Sequence, residues 1–382
     1  MLTLALVSLM LLLLLGLAAM IRLEQQVGIN SNELGQARAN ARLGLRAAIG
    51  QLQRHVGGGG IVTARADVAG GTWANPAWTG VWGAGDGAGA VTWLVSGNEN
   101  LPLSITPEMA MSGSSDLFLL RRNLTATEQV KVRKVNIESI YPGESSPSVI
   151  GSYAYWVSDE SLKLSMNVRS DVTPPSGFSR YPVPRLDAMF PTFAATDDAR
   201  SKLLATDQLL LVGLNASTLN ARWPEVTASA PRLYFPTVGG GELIPGSFNA
   251  NSRSERAWNA YLGGLTVSAS NAAMVQAILN APRPFRSVTD LQTKLTAIPA
   301  IGATNAAALV DGLSPVLGVH GDTYLIRAYG EAVNRGRDVS DADYISAAAY
   351  CEALVQRTPD QAAGFGYRFV VVYFRWLAAD DI

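Results

Sequence analysis

Residues 1–21, MLTLALVSLMLLLLLGLAAMI, form one apolar run without a charge or a proline. As an α-helix at 1.5 Å per residue, this run spans roughly 31 Å, which matches the hydrocarbon core of one bilayer. A secretory signal peptide would have a basic start, a shorter apolar core and a small-residue cleavage site, and the run fits that pattern poorly. We therefore predict a transmembrane helix over residues 1–21.

The orientation of this helix stays open at the level of the sequence. Arg22 follows the apolar run and no basic residue precedes it, so the positive-inside rule alone places the bulk of the chain in the cytoplasm. If a basic leader has been cleaved, the orientation signal has left with it, and Met1 is then the first residue of a processed protein.

Residues 22–56 continue the helix as an amphipathic segment. Arg38, Arg42 and Arg46 stand between apolar residues that recur every three or four positions, namely Leu34, Ala37, Ala41, Leu45, Ala48 and Leu52. The glycines at 57–60 end the pattern, because each glycine costs roughly 1 kcal/mol in a helix. This rod is either the stalk of a signal anchor or a packing helix whose outer half lies on a globular head.

The composition excludes several classes of protein. Of 382 residues, 48% are hydrophobic and 16% are charged, against roughly 25% charged in soluble domains, so a sizeable core and more than one domain are expected. The net charge of −1 provides no basic field for nucleic acid. Cys351 is the one cysteine, so the chain has no intrachain disulfide and no cysteine-based zinc site.

Residues 57–170 are predicted to form β-rich structure containing many glycines and tryptophans. Trp73, Trp78, Trp82 and Trp93 lie among short strand-like runs. We expect these aromatic side chains to act as plugs that cover a small core. The alternative is that they form a platform for carbohydrate.

A hairpin is predicted over residues 151–168, with Asp159 and Glu160 at its tip. These two acids, like those at 197–198, 341–343 and 380–381, could ligate Ca²⁺ through oxygens. No EF-hand spacing is present, so solvated turn acids are the favoured interpretation and a Ca²⁺ site is possible but unsupported.

Residues 171–320 are predicted to hold a proline-rich linker over 171–191 and then a small α-helical domain. Ser287 is a cap-like residue ahead of Leu291, and residues 299–302 form a turn. Further helical patterns cover 197–214, 254–262, 270–280 and 305–313.

Residues 321–382 are predicted to form three antiparallel strands, over 323–332, 347–356 and 367–377. Cys351 is expected to be a buried thiol on the second of them. The predicted fold class is α+β: a long N-terminal transmembrane and assembly helix, and an antiparallel β-sheet head into which an α-helical domain is inserted.

The sequence offers no support for an enzyme or a cofactor. His55 and His320 are the two histidines, and neither has a partner at metal-ligand spacing. Nucleophile-elbow, phosphate-loop and zinc-protease motifs are absent from the sequence. We therefore predict no catalytic residue, no bound cofactor and no metal.

The whole arrangement, an apolar N-terminal helix that continues as an amphipathic rod on a β-sheet head, resembles type IV pilin-like proteins. Within that group the chain is most similar to general secretion pathway protein K, the large minor pseudopilin of type II secretion. YAYWVSDE at 153–160 resembles that family's strand and Asp-Glu turn, and PFRSVTDL at 284–291 with IPAIG at 298–302 resembles its helical domain. An even closer likeness is to the Verru/Chthon cassette protein A family, carried by GDTYLIRAYGE at 321–331, CEALVQR at 351–357 and FRWL at 374–377.

The resemblance implies a structural subunit that assembles into, initiates or caps a type IV pilus or a type II secretion-like filament. Its partners would be other pilin-like subunits, identical or different. It would reside in a bacterial inner membrane with its bulk outside the cytoplasm, and then in a periplasmic or extracellular filament. The alternative is a signal-anchored periplasmic or cell-surface protein that contacts glycan or cell wall.

The same resemblance selects two sets of residues. Ala5 stands where major pilins carry a glutamate, which leaves helix packing alone to hold a homopolymer. The family-like motif comprises Tyr153, Tyr155, Trp156, Asp159 and Glu160. The assembly helix would use Met1, Ala5, Leu9, Leu12, Leu15, Leu34, Ala41, Leu45 and Leu52.

Overall fold

A computed structural model describes most of the chain. Met1 lies outside the described residues, as do the side chains of Ala5 and Leu9 and the first part of the proline-rich stretch. Side chains are described from residue 10, except at 69, at 230–246 and at the residues whose backbone is not described. The backbone is described over 2–382 except at 59, 84, 86–88, 101–102, 104, 114, 123, 141, 143–144, 170–180, 194, 230–231, 238–239, 246, 266–267 and 361–365.

The described elements alternate between strands and helices along the chain. The helices are α1 (Leu2–His55), α2 (Asp197–Ser201), α3 (Ala216–Arg222), α4 (Glu255–Leu262), α5 (Asn271–Asn280), α6 (Val288–Thr296) and α7 (Gly302–Leu313). The strands are β1 (Ile61–Arg65), β2 (Thr79–Gly83), β3 (Thr92–Trp93), β4 (Asp116–Leu120), β5 (Val130–Arg133), β6 (Val135–Ser139), β7 (Ser148–Asp159), β8 (Leu164–Ser165), β9 (Val226–Thr227), β10 (Arg232–Thr237), β11 (Gly240–Pro245), β12 (Phe248–Asn249), β13 (Leu317–Gly318), β14 (Thr323–Val333), β15 (Ile345–Pro359) and β16 (Tyr367–Leu377).

Helix α1 is continuous over 54 residues, through Gly28 and Gly35. It ends at His55, just ahead of the predicted glycine breaker. Arg54 in its last turn suits the negative end of the helix dipole. Arg357 caps this end from the sheet, because its Nη1 donates to the Val56 carbonyl at 3.0 Å.

A five-stranded sheet forms the centre of the head, with strand order β16-β15-β14-β7-β6 and every neighbouring pair antiparallel. The three predicted C-terminal strands are present, and Cys351 is buried on β15. Burial raises the pKa of the Cys351 thiol to about 12, so this cysteine is an inert core residue.

The C-terminal half of α1 covers one face of this sheet. Ala41, Leu45, Ala48 and Leu52 are buried there against a cluster that includes Tyr155, Val157, Ile326, Ala328, Cys351 and Ala353. The approach is close at Gly330 on β14, where a Cβ atom would collide with the backbone of Ala37 and Ala41. A glycine is therefore required for the helix to lie directly on the strand.

The opposite face of the sheet packs on the Gly/Trp-rich region. Strands β1, β2 and β3 form a separate antiparallel sheet. Trp78, Trp82, Trp93 and Trp156 are buried in the core between the layers, and the Trp82 and Trp93 rings meet edge-on at 5.5 Å. The plug interpretation is confirmed for Trp78, Trp82 and Trp93, which are buried, and Trp73, the fourth tryptophan of that prediction, is half-buried against the same core.

The predicted hairpin over 151–168 is wrong. Strand β7 pairs with β14 and β6, whereas the residues after Asp159 form a short 3-10 turn over Glu160–Leu162. Strand β8 then pairs in parallel with β9, about sixty residues later in the chain. Asp159 and Glu160 are buried, so they are not solvated acids at a hairpin tip.

The helical unit lies between β9 and β14 in sequence and has its own core, which includes Trp258, Tyr261, Ile278, Leu291 and Leu309. Ser254, Ser270 and Ser287 cap α4, α5 and α6 by accepting hydrogen bonds from backbone N–H groups. The fold is thus α+β: a long N-terminal helix, an antiparallel sheet head and an inserted helical unit.

The single helix predicted over 197–214 is also wrong, because that stretch holds the short α2 followed by a 3-10 turn over Thr206–Val212. The Gln208 side chain accepts from the backbone N–H groups of Leu204 and Ala205 at 2.7 and 3.1 Å, and Ala205 is extended. These side-chain hydrogen bonds replace helical ones at the break.

The contact at Gly330 predicts a large loss of stability on substitution. Gly330→Val places a branched side chain against the backbone of α1, and we expect a loss of about 3 kcal/mol or more in the free energy of unfolding. Chemical denaturation of the detergent-solubilised chain measures the effect. Gly50→Ala is the control, because Gly50 has open space around it in the same helix and should gain about 0.5–1 kcal/mol.

Candidate assembly surface

The N-terminal half of α1 is an uncovered apolar surface. From Met10 to Ile29 every residue is exposed, with Leu12 at 70% and Leu15 at 62%. By length and composition, α1 is the one described helix apolar enough to cross a membrane. An apolar surface of this extent marks a contact with lipid or with another protein.

The predicted assembly residues divide into two groups in the structure. Leu12 and Leu15 are available to a neighbour, and Leu34 is at the margin of the head with 37% exposure. Ala41, Leu45 and Leu52 pack inside their own chain. These three therefore hold the helix to the head and do not line an outer surface.

Polar contacts at the edges of the seam fix the docked half of α1. The side-chain amides of Gln36, Asn40 and Gln53 donate to the backbone carbonyls of Ile150, Glu331 and Tyr367 at 3.0, 2.8 and 2.8 Å. In addition, the Arg38 and Arg42 guanidinium groups lie 5.3 and 5.4 Å from the centre of the Trp376 ring. Contacts along the whole seam restrict both sliding and rotation of the helix.

The family-like motif lies on β7 and the turn that follows it. Tyr155 faces α1, and Trp156 faces the tryptophan core on the other side of the sheet. The Tyr153 hydroxyl donates to Glu99 Oε1 at 3.4 Å, and burial beside this carboxylate raises its pKa to about 12. In this structure the two tyrosines and the tryptophan serve packing.

Asp159 joins four segments of the chain. Its carboxylate accepts hydrogen bonds from Thr63 Oγ1 on β1 (2.5 Å), Asn249 Nδ2 on β12 (3.3 Å) and the Gly321 N–H ahead of β14 (3.3 Å). It also accepts from the N–H and the hydroxyl of Ser161, at 2.9 and 2.6 Å. A buried carboxylate with this many donors is a structural hub.

Glu160 is engaged in the same way. Its Oε1 lies 2.7 Å from Lys163 Nζ, and this ammonium lies 4.3 Å above the Trp223 ring. The interpretation of both acids as solvated turn residues is therefore wrong. Within the described part of the chain, no three His, Cys, Asp or Glu side chains are grouped so that they could hold a metal ion.

Sequence reasoning missed a buried ionic network on the face of the sheet that carries Trp156. Arg327 Nε donates to Glu352 Oε2 at 2.9 Å, and Glu352 Oε1 accepts from Arg375 Nε at 2.9 Å. Arg375 also pairs with Asp207, whose Oδ1 lies 2.8 Å from Arg122 Nη2. Charged residues at core-facing positions of apolar strands were the available signal.

Burial and pairing act in opposite directions on the groups of this network. Burial lowers the pKa of Arg327 despite the partly compensating charge of Glu352. Burial alone would raise the pKa of Asp207, but the guanidinium groups of Arg122 and Arg375 bring it below its ordinary value. Asp207 thus remains ionised where it joins the 3-10 turn to β16.

Comparison with known proteins gives a weak likeness among solved structures. No family model matches the chain. No curated protein matches it either. Among solved structures, the chain is similar to a chain of the GspK-GspI-GspJ complex from the type 2 secretion system of enterotoxigenic Escherichia coli, with 13% identity, a TM-score of 0.36, and coverage of 64% of this chain and 84% of that chain. A TM-score of this size assigns no family, so the description of the fold rests on the elements above.

The Asp159 hub predicts a matched pair of stability effects. Asp159→Ala leaves several buried donors without an acceptor, and we expect a loss of about 3 kcal/mol or more. Asp198→Ala, which removes an exposed partner of Lys202, should change the stability by less than about 1 kcal/mol. Equal effects in urea unfolding would show that Asp159 is not a hub.

The lowered pKa of Asp207 predicts a pH-dependent contribution to the free energy of unfolding. Its pKa is lower in the folded than in the unfolded chain, so its stabilisation is complete above the unfolded pKa of roughly 4 and is lost as the pH falls through the folded pKa. Asp207→Asn should therefore cost about 2 kcal/mol or more at pH 7. The difference between the two proteins in denaturant titrations should shrink below pH 4, and a difference that stays constant would contradict this assignment.

Proposed function

We propose that this chain is a pilin-like structural subunit that assembles into, initiates or caps a filament through the N-terminal half of α1. The observation that carries the proposal is the division of one continuous helix into a docked half and an uncovered apolar half. A stalk that only tethers a domain has no need of a rigid seam along the sheet.

The geometry supports side-by-side packing of such helices. About 32 residues of α1 precede the docked half, which corresponds to roughly 48 Å of helix. Met10 to Ile21 is uncharged, while Arg22, Glu24 and Glu33 give the next segment a polar character suited to the membrane surface. In a filament, neighbouring apolar helices would replace the lipid around this segment.

The proposed partners are other pilin-like subunits, identical or different. The first acidic residue of the chain is Glu24, so no carboxylate is available within the apolar run to pair with a neighbour's charge. Contacts between subunits along this run would thus be van der Waals packing of leucine and methionine side chains. The proposed location is a bacterial inner membrane, with the head outside the cytoplasm, and then the filament.

Cysteine cross-linking tests the proposal with little background, because Cys351 is buried and is the one native cysteine. Leu12→Cys and Leu15→Cys, expressed in the native host with its other pilin-like proteins and labelled with maleimide-benzophenone, should cross-link to neighbouring subunits on irradiation, because the thiol adds to the maleimide and the excited benzophenone inserts into a C–H bond of any neighbour. Mass spectrometry of the products identifies the partner. We expect products at both positions, since both side chains lie on the uncovered half.

Leu211→Cys is the control, because Leu211 is a leucine of the head with 81% exposure. It reports collisions between heads that do not depend on helix packing. Chains that stay monomeric at positions 12 and 15 in native membranes, or that cross-link no more than the Leu211 variant, would support a signal-anchored monomer and overturn the filament proposal.

A further inference from the structure

Helix α1 carries a row of exposed arginines along one flank of its docked half. Arg38, Arg42 and Arg46 follow one another at a spacing of four residues. The Arg38 and Arg42 guanidinium groups lie 5.3 and 5.4 Å from the centre of the Trp376 ring on β16, an edge strand of the five-stranded sheet. We call these three arginines the basic flank.

The basic flank has no acidic counterpart among the described residues. Residues 34–66 contain five arginines and no aspartate or glutamate. Within the described part of the chain, none of the three arginines forms an ion pair with a carboxylate. Exposed cations elsewhere on the head do form such pairs, since Lys202 lies 2.7 Å from Asp198 and Arg337 lies 2.9 Å from Asp343. The flank therefore presents positive charge that the described fold does not neutralise.

Lipid headgroups are too far away to supply the missing negative charge. At 1.5 Å per residue, Arg42 lies roughly 31 Å along α1 from Ile21, where the apolar run ends. Charges are screened over roughly 8–10 Å at physiological ionic strength. A membrane that holds residues 1–21 thus leaves the basic flank without a counter-charge.

Glu33 is a partly exposed acid of the same helix. No lysine or arginine among the described residues forms an ion pair with it. It precedes Arg42 by nine residues, and at about 100° per residue the two side chains leave α1 on opposite sides. The contacts agree with this, because the Gln36 amide, one turn farther along, donates to Ile150 on β7, whereas Arg42 lies beside β16.

An acid and a base on opposite sides of one helix make a contact that can repeat. A parallel copy of α1 beside the basic flank turns its Glu33 toward the arginines, and its own arginines face a further copy. A displacement of five to thirteen residues along the axis, roughly 8–20 Å, brings this Glu33 level with the flank. Contacts between two different patches of identical chains generate rings or helical filaments, whereas a self-complementary patch closes a dimer.

We propose that the basic flank binds Glu33 of a second copy of this chain, so that the chain is a repeating subunit of its filament. The inference rests on the proposed assembly through α1 and adds the identity of a partner. Exposed ion pairs contribute little affinity, whereas complementary charges fix orientation and register. Apolar packing of the uncovered halves would hold the copies together, and the Glu33 contact would set their offset along the axis.

Cross-linking of two differently tagged copies in the native host tests the contact. One copy carries Glu33→Cys, the other carries Arg42→Cys, and a short bismaleimide adds to both thiols. Glu24→Cys is the matched control for Glu33→Cys, because Glu24 is about five turns from Arg42 and lies on the same side of α1. We expect at least about fivefold more product between the two tags from position 33 than from position 24, since the control residue faces away from the partner.

Charge reversal tests the same contact without a cysteine in it. In copies that carry Leu12→Cys labelled with maleimide-benzophenone, Glu33→Arg places like charges at the interface and should lower the photo-cross-link between copies at least about fivefold. Glu24→Arg reverses an exposed charge outside the contact and should change the yield by less than about twofold.

The outcomes separate this inference from the filament role. Equal bismaleimide products from positions 24 and 33, or a full yield of Leu12 products in the Glu33→Arg variant, would overturn the Glu33 contact and leave the filament role standing. Leu12 products with other pilin-like proteins alone would exclude a second copy as the partner. The absence of any Leu12 product with a neighbour would overturn both proposals.

Discussion

The contact between α1 and the backbone of β14 is the constraint on which the rest of the structure depends. Ala37 and Ala41 meet Gly330 with no room for a Cβ atom between them. Small residues on both sides let the helix lie on the strand itself, and the larger Leu45 and Leu52 then fill the space beside it. Because the helix is continuous through this seam, its docked half sets the direction in which the uncovered half leaves the head.

Buried polar groups join elements that belong to the separate cores of the head. Asp159 links β1, β12, β14 and the turn after β7, while the network from Arg327 to Asp207 ties the sheet to the 3-10 turn before α3. Burying such groups costs free energy, and separating a buried pair costs more, because a carboxylate without its partners keeps the full desolvation penalty. They therefore select one arrangement of the sheets and the helical unit among the many that apolar packing alone would allow.

The uncovered half of α1 is the opposite case, since its apolar surface finds no cover within the described chain. Exposing apolar surface to water costs roughly 25 cal/mol for each Å², so a helix of leucines requires lipid or neighbouring helices. The C-terminal half of the helix is thus packed on the head, whereas the apolar surface of its N-terminal half lacks a covering partner. A rod of this kind can transmit the position of its neighbours to the head, which is the physical basis of the subunit proposed here.

The sequence by itself determined the elements whose signals are local. The apolar run and the stripe that follows it gave α1 its length, and serines ahead of apolar repeats marked the starts of α4, α5 and α6. Alternation marked β14 and β15, and β-branched and aromatic residues marked β16. Tertiary structure alone decided the rest. Asp159 and Glu160 have the composition of an exposed turn. Hydrogen bonds from Thr63 and Asn249, which are distant in the chain, and the ion pair with Lys163 offset the free-energy cost of burying them. Strand β8 likewise takes its partner from a segment far along the chain, and strands of two residues are too short to show a periodicity that could predict the pairing.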